Sequence, residues 1–304
     1  MQTEAVSRPL ASHRDWYGIA LVVLSATGFS AKAIFIKLAF RWPVDAVTLL
    51  MLRMALALPF FLLAAWWSTR GATQAMTRRD WLAVIALGIA GYYLASLFDF
   101  LGLQYISASL ERLILFLYPT LVVLIRALLG HRPSGREWGA LALSYAGMAL
   151  VVAGEGVGAQ RELYWGVALV FLSSLSYAVY LVGSGAMIAR LGATRFTALA
   201  LLVSTTGVLL HYALANGVRW PQVAPPVWGL ALAMALISTV LPTFLMSAGI
   251  RRLGAGRASL IASVGPVLTI AMGAVFLGES ILPLQWLGAA LVISGVLLVS
   301  LKKS

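Results

Sequence analysis

"GIALVVLSATGFS" (Gly18–Ser30) and "GVALVFLSSLSYA" (Gly166–Ala178) are one segment written twice. Gly, Ala, Leu, Val, Leu and Ser recur at matching places, and the second copy starts 148 residues after the first. The register holds outward from this stretch. Trp138 and Gly147 meet Trp286 and Gly295 at the same spacing, while Trp81, Gly102 and Pro119 meet Trp228, Gly249 and Pro266 one residue earlier. A match that survives from end to end implies two copies of one folding unit. We take residues 1–16 as an arm, 17–156 as the first repeat and 162–301 as the second.

The medium follows from composition. Of 304 residues, 61% are hydrophobic and 11% charged, against about 25% charged in soluble domains. Apolar runs near the ~20 residues of a spanning helix fall at 17–40, 46–67, 81–98, 105–128, 137–154, 164–188, 196–214, 227–249, 255–276 and 284–301. The expected fold is therefore all-α, with ten transmembrane helices in two five-helix repeats. Five is odd, so the second repeat enters the membrane inverted. The charges agree: "LGHRPSGREW" (Leu129–Trp138) is basic, while its counterpart "LGESILPLQW" (Leu277–Trp286) carries only Glu279. Arg8, Arg14, Arg70, Arg78, Arg79, Arg132, Arg136, Arg190, Arg195, Arg251, Arg252, Lys302 and Lys303 gather on one side, and Arg41, Arg161 and Arg219 on the other. By the positive-inside rule the first side, with both termini, is cytoplasmic. The net charge of +12 is thus a topology signal that meets lipid headgroups, and no nucleic-acid partner is expected. The first run is too long for a signal-peptide core and is read as a retained helix.

"PVLTIAMGAVFLGESILPLQWLGAALVISGVLLV" (Pro266–Val299), its first-half copy from Pro119, and "TLLMLRMALALPFFLL" around Arg53 resemble EamA-type carriers of the drug/metabolite transporter superfamily. The resemblance covers nearly the whole chain. It implies two inverted EamA repeats in a bacterial inner membrane and export of small metabolites. Within that family the chain looks most like the YddG-type exporters of aromatic amino acids. Arg53 matches the family's helix-2 arginine, as a packing clamp or a screen for a solute anion.

Charges at membrane depth are costly and mark cavities or partners. Positions i, i+4 and i+7 share a helix face, which sorts the polar residues into stripes. These are Ser25, Phe29 and Lys32 on the first segment; Tyr92, Ser96 and Asp99 on the third; and Glu111 with Tyr118 on the fourth. The sixth offers Ser173, Tyr177 and Tyr180, the eighth Ser238, and the ninth Ser263. Together they suit a substrate cavity for a small amphipathic solute. Each also has a packing reading, since serine mediates close helix contact and tyrosine anchors at interfaces.

Within "SASLERLILFLYPTL" (Ser107–Leu121), Glu111 and Arg112 project about 100° apart. Arg112 is expected to pair with Asp99. Glu111 either caps the helix start or points inward to Lys32, where a zwitterion would exchange its carboxylate onto Lys32 and its ammonium onto Glu111. Pro119, Pro242 and Pro266 each remove a backbone donor and are candidate hinges, with static kinks as the alternative. His211 is placed near the outer interface.

The function this supports is a secondary transporter exporting amino acids, aromatic or otherwise apolar, and similar metabolites by alternating access. The alternatives are an exporter of cationic drugs or other metabolites, or a channel. An enzyme is not expected. With no cysteine, three histidines and no HExxH, GxSxG or P-loop context, neither a metal nor a cofactor is expected.

Overall fold

The computed structural model describes residues 13–70, 75–154, 160–280 and 282–300. Most of the expected N-terminal arm lies outside them. Among the described residues the chain forms ten helical rods. They are α1 (His13–Ala39), α2 (Ala46–Arg70), α3 (Arg78–Gly102), α4 (Ala108–Leu128), α5 (Gly135–Gly154), α6 (Gln160–Leu191), α7 (Ala193–Asn216), α8 (Pro225–Leu253), α9 (255–277) and α10 (Pro283–Ser300). Seven of them, α1 to α4 and α6 to α8, are long and apolar enough to cross a membrane. Shorter apolar stretches, Gly265–Leu277 and Pro283–Leu298, lie in α9 and α10.

Local chemistry sets the ends. Thr77 and Asp80 close a reciprocal capping box at the start of α3, satisfying amide donors that a helix N-terminus leaves unpaired. Gly192 (φ 81) and Gly254 (φ 79) divide α6 from α7 and α8 from α9. Both take a backbone conformation that a side chain disfavours.

Packing repeats the symmetry of the sequence. α1 lies along α8, and their repeat mates α6 and α3 lie along one another. The match reaches single residues. Gly102 of α3 leaves room for Val170 of α6, and the equivalent Gly249 of α8 leaves room for the equivalent Val22 of α1. The remaining mates pair with each other, α2 with α7 and α5 with α10. In the second pair the backbones nearly touch. A Cβ at Gly147 would stand 2.6 Å from the Gly288 carbonyl oxygen, and one at Gly295 would stand 2.7 Å from that of Ala140. Close approach through small residues is how helices associate where lipid removes the hydrophobic drive. Large apolar side chains such as Leu63, Trp67 and Leu214 face outward.

Four irregularities fall at repeat-equivalent places. α4 breaks at Phe116–Leu117 and α9 at Ser263–Val264, each just before its proline. α3 widens to a π-helix at Ile89–Leu94 and α8 at Leu236–Val240. Such bulges are rare and cluster at functional positions.

Candidate functional site

The repeats meet in a polar junction between α1, α3, α4 and α9. Lys32 Nζ stands 2.5 Å from Asp99 Oδ2 and 3.2 Å from Glu111 Oε1. Glu111 is wholly buried and Asp99 2% exposed. One ammonium therefore serves two carboxylates that lie away from water. Neither oxygen of Glu111 is in hydrogen-bond geometry, and Asp99 Oδ1 is also unpartnered.

The expected Arg112–Asp99 pair does not form. Lys32 reaches across from α1 and takes Asp99; α1 lies along α8 and α9 of the second repeat, which sets the depth at which its cation arrives. Arg112 turns instead to α1 and the break in α9. Its Nη2 lies 3.4 Å from Ser30 Oγ, which itself donates to the Gly265 carbonyl. Glu111 does point inward to Lys32 and does not cap α4. Capping falls to Ser107, whose hydroxyl accepts from the Leu110 amide, and to Glu279 from the far repeat. The Glu279 carboxylate accepts from the amides of Ala108 (2.7 Å) and Ser109 (3.1 Å) and from the Ser109 hydroxyl (2.6 Å). A carboxylate at a helix N-terminus is favourable by dipole and hydrogen bond alike.

Seven residues along α3 and α4 from Asp99 and Glu111, Tyr92 and Tyr118 enter an aromatic cluster. Tyr118 meets Tyr177 edge-on at 5.3 Å, Tyr177 stacks on Tyr180 at 5.7 Å, and Tyr180 stacks on Phe196 of α7 at 5.9 Å. The Tyr92 and Tyr180 hydroxyls hydrogen-bond at 3.1 Å. Gly91 makes the room for the Tyr180 ring. These separations lie within the 4.5–7 Å of favourable ring pairs. Phe29 is half-buried on α1 and has no part in these ring contacts; Ser96 is half-buried between Tyr92 and Asp99.

Two expected cavity hydroxyls are engaged elsewhere. Ser25 donates to the Pro242 carbonyl (2.7 Å) and Ser173 to that of Ala95 (2.6 Å). The two bonds are symmetry mates, and both hold a helix beside a π-segment. Ser176 adds a third clamp to the Ala90 carbonyl. Ser238 lies buried within the α8 π-segment, its hydroxyl without a protein partner. Ser263 sits in the α9 break. Arg53 is a clamp: Nε donates to Thr239 Oγ1 of α8 (3.0 Å) and the guanidinium lies over Phe100 of α3.

The Leu115 carbonyl, unpartnered within α4 because Pro119 lacks an N–H, accepts from Ser174 of α6 at 3.2 Å. His211 bonds through Nδ1 to the Tyr93 hydroxyl.

Sequence reasoning did not find Phe196, the serine clamps on the π-segments, or the Asp80–Arg190 ion pair at 2.7 Å that ties α3 to α6. A π-bulge leaves no periodic trace in sequence. Glu279 gave the one available signal, a lone acid in an otherwise neutral connection.

The EamA-like transporter family model matches residues 16–153 and again 164–301. The chain belongs to that family: it is a multi-pass membrane transporter built of two EamA repeats. YcbK of Bacillus subtilis, described as an uncharacterized transporter, is 31% identical over 277 residues, covering 89% of this chain and 88% of its own. An uncharacterized transporter of Archaeoglobus fulgidus is 24% identical over 282 residues, 93% of this chain and 96% of its own. A solved crystal structure at 20% identity superposes with a TM-score of 0.63 over 92% of this chain and 95% of that one, a likeness of fold alone.

Proposed function

We propose that the protein is a secondary transporter of the bacterial inner membrane that exports amino acids, aromatic or otherwise apolar, by alternating access. All ten rods span the bilayer in this reading, the second repeat is inverted, and both termini are cytoplasmic. Inverted repeats place the substrate site near the midplane where they meet. The observation that carries the reading is the Lys32–Asp99–Glu111 triad set beside the Tyr92–Tyr118–Tyr177–Tyr180 cluster. A charged head and an apolar ring find partners about 10 Å apart along the same two helices. Buried ionisable groups in membrane helices are kept for function because they are expensive to keep at all.

Movement comes from the paired breaks. Pro119 and Pro266 interrupt equivalent helices in opposite repeats, giving one bend toward each side of the membrane. Pro242 follows the α8 π-segment and adds a third flexible point. Lys32, Asp99, Glu111 and the four tyrosines form the contact surface for solute, with Ser96, Ser238, Ser263 and Phe29 at its margin. Ser25 and Ser173 hold the frame.

The test is counterflow in proteoliposomes over a panel of amino acids and cationic drugs. Saturable exchange of L-phenylalanine supports the reading. Exchange of cationic drugs alone transfers the assignment to a drug exporter, and unsaturable conductance to a channel.

A further inference from the structure

We propose that Arg112, with Ser30 and the open backbone at Gly265, is the carboxylate-binding subsite, and that the transported solute carries a carboxylate. The inference rests on the export reading above and names the group that this site recognises.

Lys32 is the obvious cation for an anionic solute, yet it is already committed. It is the ammonium bridging Asp99 and Glu111, and drawing it away would strand two buried carboxylates. Arg112 is in the opposite condition. A guanidinium offers five donors in a planar fork suited to a carboxylate. Here it makes one long contact, to Ser30 Oγ at 3.4 Å, while Nε is buried without a partner. The backbone opposite is bare. A Cβ on Gly265 would stand 2.9 Å from Nη2, so the fork faces the α9 break only because no side chain fills it. Gly265 is the repeat mate of Tyr118: the second repeat replaces a ring with a space.

The charges give the same answer. Among the described residues, Lys32, Arg53 and Arg112 face Asp99 and Glu111 at this junction, while Glu279 is held by the start of α4 and faces Lys37, which leaves one positive charge over. An arriving carboxylate pairs with it, and the ammonium of the same solute brings its positive charge to the Glu111 side. Arg112 also lies close enough for its charge to act on both Glu111 and Tyr118. The subsite thus stands between Glu111, whose oxygens make no hydrogen bond and are ion-paired to Lys32 through Oε1 alone, and the rings: the carboxylate accepts an ammonium and the rings an apolar side chain. An α-amino acid presents its three parts in that order. The zwitterion is held by neighbouring residues of one helix turn, Arg112 and Glu111, and the lysine need not let go.

Binding to the purified full-length protein in detergent decides it. The probes are L-phenylalanine, its amide, which lacks the carboxylate, and 3-phenylpropionate, which lacks the ammonium. The wild type should prefer phenylalanine over the amide by about tenfold or more, as for a charge-assisted bidentate contact. Arg112→Gln should bring that ratio close to one, and Arg112→Lys should restore part of it. A preference that survives Arg112→Gln overturns the subsite. So does a wild type that binds none of the carboxylates, whatever it does with other solutes. Carboxylate binding that depends on Arg112 without saturable counterflow keeps the subsite and fails the transport reading instead.

Discussion

Lys32 shows how one side chain sets the stability and the chemistry of a membrane core together. Its ammonium bridges Asp99 and Glu111, so Lys32→Met removes the cation nearest to both buried carboxylates. Breaking a buried pair from one side costs about 3–5 kcal/mol, and thermal unfolding in detergent should fall accordingly. Asp99→Asn in the same chain should recover much of the loss; a double variant no more stable than the single one would contradict the electrostatic account. The rings act on selection instead. Tyr177 stacks on Tyr180 and meets Tyr118 edge-on, and such contacts contribute about 0.5–1.5 kcal/mol per pair. Tyr177→Ala should weaken transport of phenylalanine several-fold more than that of alanine. Equal losses would make the ring part of the scaffold alone.

At the scale of elements, the breaks in α4 and α9 are where motion can enter. In α4 the Leu115 carbonyl has exchanged its helix partner for Ser174 of α6. Pro119→Ala restores an amide that competes for that carbonyl and straightens the rod. Turnover in counterflow should fall while phenylalanine affinity stays near the original value, and unchanged turnover would leave the proline as a static kink. The α5–α10 pair has the opposite character. Gly147→Val places a side chain against the Gly288 backbone, where even a Cβ stands at 2.6 Å. Overpacking costs about 1–3 kcal/mol, more where backbone must separate. The yield of monodisperse protein should drop, and a normal yield with normal melting would show that this pair opens easily.

The whole molecule is two copies of one unit, alike in packing and unlike in charge. The clamps Ser25–Pro242 and Ser173–Ala95 obey the symmetry. The triad breaks it, because the mates of Lys32, Asp99 and Glu111 are Tyr180, Met246 and Ala258. Symmetric packing lets the two sides open by equivalent movements, while the unpaired charges give the junction one chemistry. The inverted arrangement makes a direct labelling prediction in this cysteine-free chain. Cysteines at Ala75 and Ser134 should react from the cytoplasmic side and one at Ser280 from outside. Finding residues 134 and 280 on the same side would end the inverted reading.

The duplicated "GIALVVLSATGFS" pattern and the ten apolar runs determined the helices, the repeat and the family, because spans and periodicity are properties of the local chain. The same spacing rule put Lys32, Asp99, Glu111 and the tyrosines on inward faces, and the structure brings them together. It could not say which charge meets which. Arg112 and Asp99 are near in sequence, yet Lys32 took Asp99 because α1 is held along α8 and α9 of the other repeat, in a position that carries its ammonium to Asp99 and Glu111. For Ser25 and Ser173 the sequence left cavity lining and helix packing both open, and the carbonyls of Pro242 and Ala95, far along the chain, decide for packing. Helix identity is written in a dozen neighbouring residues; partner identity depends on how whole rods cross, and only the tertiary structure fixes that.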